Sequence, residues 1–68
     1  MYDFDESMIQ EYRQFANSGY FVIRYFNRNI LVSFDANEKT VSAEMPAGFL
    51  VHDWECFLFS LSDWWFNP

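Results

Sequence analysis

The stretch Phe49–Phe66, FLVHDWECFLFSLSDWWF, decides the fold. On a helix, Leu50, Val51, Trp54, Phe57, Leu58, Leu61, Trp64 and Trp65 fall on one broad face, at the three- and four-residue spacings of a core-facing helix. Strand alternation fails, because Trp64, Trp65 and Phe66 are consecutive. Rings of this size on one short element can cover most of a small sheet, so the run reads as a lid. Its opposite stripe is His52, Cys56, Phe59, Asp63 and Phe66, and two phenylalanines there call for something to cover them.

A lid needs a floor, and the middle of the chain supplies it. YFVIRYF (20–26) and ILVSF (30–34) flank Asn27-Arg28-Asn29, and TVSAEM (40–45) follows Asp35-Ala36-Asn37-Glu38-Lys39. With Tyr25 facing Ile30, Ile23 facing Val32 and Phe21 facing Phe34, one side becomes apolar and Asn27-Arg28 forms a two-residue turn. A slip of one residue would drive Arg24 into the core. The next hairpin pairs Phe34 with Val41 and Val32 with Ala43, which adds Val41, Ala43 and Met45 to the inner face. Outside remain Tyr20, Val22, Arg24, Phe26, Leu31, Ser33, Ser42 and Glu44, a surface half apolar. Some outward rings could pack under the Tyr2–Phe4 end.

Ahead of the sheet, Phe4, Met8, Tyr12 and Phe15 repeat at helical spacing, widened by Ile9 and Ala16. The pattern predicts a helix from about Asp5 to Asn17, capped by Asp3 or Asp5 and ended at Ser18-Gly19. Pro46-Ala47-Gly48 breaks the last strand, and Asp53 is placed to cap the final helix. The expected fold is therefore α+β, a single domain over residues 1–68. Its order is α-β-β-β-α, a three-stranded antiparallel meander with two helices packed on one face. Double-stranded-RNA-binding domains share that order, but their basic loop and helix end have no counterpart in these acidic helices.

Sixty-eight residues make one small core, and with one cysteine no internal disulfide can staple it. Sixteen aromatic side chains, oligomerisation, or both must carry the stability instead. His52 and Cys56 are too few for a closed zinc site, so neither a metal nor a cofactor is expected. The same two residues, one helical turn apart, are the only nucleophile–base pair that spacing brings together, and no third group or glycine-rich loop joins them. No catalytic residue is assigned. Acids at the N-terminus where a secretory signal needs positive charge, and a free thiol, lead to the expectation of a cytoplasmic protein.

Ten acids against four bases give a net charge of −6, which excludes direct binding to nucleic acid or an anionic membrane. The charge is uneven. Residues 1–11 and 44–68 hold no base, while Arg13, Arg24, Arg28 and Lys39 all lie between them. Asp3, Asp5, Glu6 and Glu11 with Asp53, Glu55 and Asp63 are the residues expected to meet a basic partner. Spaced carboxylates on a rigid frame can imitate a phosphate track, with aromatic anchors to hold the encounter. His52, Cys56, Phe59 and Phe66 are the expected interface of a homodimer.

In compactness, charge and aromatic load the chain resembles the small anti-defence proteins of phages and mobile elements, such as anti-CRISPRs and DNA mimics. That resemblance implies a non-enzymatic inhibitor of a basic nucleic-acid-handling protein. Two alternatives share the composition: an immunity protein or antitoxin that blocks a toxin nuclease, and a structural homo-oligomeric subunit.

Overall fold

A computed structural model describes residues 3–67. Among them the chain forms a 3-10 turn at Glu6–Met8, then strands β1 (Ile9–Phe15), β2 (Ser18–Tyr25), β3 (Arg28–Asp35) and β4 (Thr40–Ala43), and a helix α1 (Val51–Phe66). The strands make one antiparallel sheet in chain order, β1-β2-β3-β4. The helix lies across one face of it. The α+β class is therefore met, but by four strands and one α-helix rather than three strands and two.

The N-terminal helix is the main correction. Residues 9–15 form an edge strand, with Glu11 opposite Val22, Tyr12 opposite Phe21 and Phe15 opposite Ser18. Helical spacing of Phe4, Met8, Tyr12 and Phe15 was real, but Ile-Gln-Glu-Tyr-Arg-Gln-Phe alternates as well. Pairing with β2 wins because helix propensity is a weak preference that tertiary contacts override. Ser18-Gly19 does not end a helix; it opens β2. The turn is Ala16-Asn17, with Ala16 at a φ of 53°. Asp5 does cap, but it caps the 3-10 turn, its Oδ1 accepting from the Ser7 amide at 3.2 Å.

The β2–β3 hairpin keeps the expected faces in a different register. Tyr25 pairs with Arg28, Ile23 with Ile30 and Phe21 with Val32, so the turn is Phe26-Asn27. A shift of two residues moves every pair without turning any side chain to the other side. Both turn residues take positive φ, 49° and 60°, as a tight turn matching strand twist requires. The β3–β4 pairs, Phe34 with Val41 and Val32 with Ala43, are those expected.

The core is Phe21, Ile23, Ile30, Val32 and Phe34 from the sheet and Trp54, Phe57 and Leu61 from α1. Trp65 lies on Phe21, with ring centroids 4.2 Å apart, and Trp54 stacks on Phe57 at 5.0 Å. The consecutive tryptophans divide the work. Trp65 covers Phe21 and Phe34, while Trp64 meets Phe4 at 5.5 Å. Leu50, Val51 and Met45, expected inside, are exposed. Tyr2 lies outside the described residues.

Candidate protein-binding surface

Charge in this molecule is unevenly spread between its two faces, with Arg28 the base that lies on the helix side. Phe4 packs against Phe57, Trp64 and Tyr25, so the segment 3–8 runs along the helix on its face of the sheet. Residues 3–8 and 49–67 together carry Asp3, Asp5, Glu6, Asp53, Glu55 and Asp63 and no lysine or arginine. Arg13 and Arg24 point from the other face, since Arg13 lies opposite Tyr20 and Arg24 follows buried Ile23. Asp3, Asp5 and Glu6 thus share the helix layer with the acids of α1, although they belong to a 3-10 turn and its approach rather than to a helix.

Two of the seven acids stand apart. Glu11 lies opposite Val22 on the uncovered face of the sheet, away from the helix. Glu55 is on α1, but two residues from Asp53 is about 200° of rotation, so those two carboxylates look in nearly opposite directions. Asp53 does not cap the helix. The N-cap is Leu50, with no side-chain hydrogen bond to the first turn. Asp53 sits instead within that turn, where the dipole favours a negative charge. Asp63 has the reverse situation, in a last turn that contains no base.

Exposed apolar side chains complete the layer. Phe26, at the β2–β3 turn, is 76% exposed, and Leu50 is 70% exposed. Both border one shallow depression of about 300 Å³, together with Tyr25, Gly48, Phe49 and Asp53. Its wall is fixed by Arg28, which donates through Nη1 to the Ala47 carbonyl at 2.7 Å and lies over the Phe49 ring at 5.9 Å. Each of the two apolar residues occupies a position that a stability-optimised sequence would fill differently. A bulky residue at positive φ is strained, and a leucine cannot satisfy the helix's first amides. Strained backbone and local costs of this kind cluster at functional sites in proteins generally. The sequence pattern places Phe26 on the outer sheet face and Leu50 in the core, and the structure puts both on this exposed edge instead. The signal that could have found them is the turn itself, since a β-turn one residue earlier puts Phe26 at its tip.

The expected oligomer stripe survives in part. His52, Cys56, Phe59 and Asp63 are exposed along α1, and Phe59 is 79% exposed. Phe66 is not on that surface. It is half-buried and packs against the core. His52 Nε2 lies 3.8 Å from Cys56 Sγ, and both are open to solvent. Among the described residues no three His, Cys, Asp or Glu side chains gather as a metal ion would need, and no helix is long and apolar enough to cross a membrane.

Another depression, about 630 Å³, runs beside the end of β4 between Leu31 and Met45. No charge sorting or local strain attends it. Compared with known proteins, the chain matches no family model, no curated protein and no solved structure.

Proposed function

We propose that this protein is a non-enzymatic inhibitor that binds a basic nucleic-acid-handling protein through its helix layer. One observation carries the proposal: residues 3–8 and 49–67 hold six carboxylates and no lysine or arginine, while the Arg28 guanidinium beside them is engaged by the Ala47 carbonyl and the Phe49 ring. A field of one sign steers a basic partner to that side and sets its orientation. Phe26 and Leu50 at the edge of the field supply the apolar anchors that charge alone lacks, since a few buried side chains carry most of an interface's affinity. Asp63 fits the same picture, because a carboxylate in a last helical turn opposes the helix dipole and is kept at a small cost to stability. Target chemistry follows from the surface: a nuclease or other protein whose own groove is lined by Lys and Arg.

The test uses the tagged protein as bait in extract of its native cell, with bound protein eluted by a salt gradient. Wild type should retain a basic protein that leaves as ionic strength rises. The variant Asp3→Lys, Asp5→Asn, Glu6→Lys should fold, because all three side chains are exposed and asparagine can keep the cap on the Ser7 amide, and should retain none of it. Equal retention by that variant would remove the acids from the interface and with them the proposal.

A further inference from the structure

We propose that β1 is the docking edge for a second copy of this chain, pairing antiparallel with its own counterpart to make a continuous eight-stranded sheet. This pairing is independent of the inhibitory target. It begins from the open sheet. β1 is an end strand in the order β1-β2-β3-β4, and among the described residues no strand lies beside its outer edge. Five consecutive residues of it, Glu11 to Phe15, are exposed. An unpaired edge of this length is a template for another strand.

The sequence of β1 says which strand. It reads Ile9-Gln10-Glu11-Tyr12-Arg13-Gln14-Phe15. Laid antiparallel on itself about Tyr12, it sets Tyr against Tyr, each Glu11 against an Arg13 and each Gln10 against a Gln14. Glu11 and Arg13 project from the same face, being opposite Val22 and Tyr20 on β2, so the facing side chains of two copies could meet. Charges on an exposed edge ordinarily keep strands off. Here they keep off every strand but this one. A slip of two residues in either direction sets Glu11 against Glu11 or Arg13 against Arg13, and like charges directly opposite are destabilising. The irregularity between Ile9 and Glu11 falls at both ends of such a pairing, which leaves Glu11, Tyr12 and Arg13 to set the register.

The symmetry is closed. A two-fold axis normal to the sheet relates the copies through the same residues on each, so the contact cannot propagate into a fibre. It also puts both helices on one side. The two Tyr12 rings come together there, each already 5.5 Å from Trp65 of its own copy. The apolar depression beside that edge, lined by Glu6, Ile9, Tyr12 and Trp65, faces its mate. A dimer through β1 leaves Phe26 and Leu50 uncovered, while Glu6 borders the contact, and it replaces the α1 stripe that loses Phe66 to the core.

Charge exchange tests this. Sedimentation of the wild type from micromolar to millimolar concentration should show a monomer–dimer equilibrium. E11R sets Arg against Arg13 at both symmetric positions, and R13E sets Glu against Glu11; each should weaken the dimer by at least about tenfold. An equimolar mixture of E11R and R13E restores both opposite-charge pairs and should dimerise like wild type, as should the double variant E11R/R13E. The double variant has wild-type composition, so its dimer strength decides the matter even if a single reversal folds poorly. A wild type that stays monomeric throughout, single reversals that dimerise undiminished, or a folded double variant that does not recover would each overturn the proposal.

Discussion

Gly19 lies opposite Phe34 across the β2–β3 ladder, and the aromatic ring occupies the space that a side chain on Gly19 would take. A methyl group there would come within 2.8 Å of Phe34 Cζ and 2.2 Å of the Arg13 carbonyl oxygen. The glycine is thus what lets β1, β2 and a large ring approach together. Gly19→Ala should lower stability by about 3 kcal/mol, because the backbone of β1 must move and cannot simply rotate away. Urea unfolding checks it; a midpoint unchanged from wild type would show that β1 is not held this closely.

Trp54 is the largest buried side chain that α1 contributes, stacked on Phe57 and edge-on to Phe49 at 5.4 Å. Trp54→Ala leaves a cavity between helix and sheet and should cost roughly 3–5 kcal/mol. In a domain of this size that is most of the total stability, so the variant should melt without cooperativity at room temperature.

At the hairpin tip and the helix start the expected sign is reversed. Phe26→Asn relieves a ring-bearing residue at positive φ, and Leu50→Asp gives α1 the cap it lacks. Each should add about 1 kcal/mol. In a domain this small that raises Tm by about 4–8 °C. Both variants should lose affinity for the target, so activity and melting temperature move in opposite directions. A drop in Tm would mean that these side chains support the fold.

Asp63→Asn removes a negative charge from the C-terminal turn of α1 and keeps an oxygen for the Asn67 side chain, 3.4 Å away. Stability should rise by about 0.5 kcal/mol at low salt, with the gain shrinking as salt is added. Thermal melts of both proteins at two ionic strengths measure it.

What could be read from the chain alone was whatever periodicity and burial decide together. The lid was legible because Trp54, Phe57 and Leu61 repeat at helical spacing among residues that tolerate no strand. The β3–β4 pairing was legible because Val32, Phe34, Val41 and Ala43 permit one register. Two things were not. Residues 9–15 satisfy helix and strand periods equally, and only the unpaired side of β2 decides between them. The Phe26-Asn27 turn was read one residue late, because asparagine was given the first turn position that phenylalanine occupies. That one-residue difference hid the exposure of Phe26 at the tip of the hairpin. The acids are legible in the sequence, but their spread over two layers depends on Glu11 being in a strand.

Every strand of the sheet is joined to the next by a local turn, and the Ala36 amide ties the β3–β4 turn to the Asn17 carbonyl at the same end. Hairpins of this kind form from nearby residues and need little long-range search. The element that covers Phe21, Ile23, Val32 and Phe34 comes after all of them in chain order. During synthesis the meander therefore emerges with its apolar face bare, and it stays bare until Trp54 to Trp65 have been added. That interval is when the chain is most exposed to aggregation, and a holdase chaperone would have its binding site on the nascent sheet.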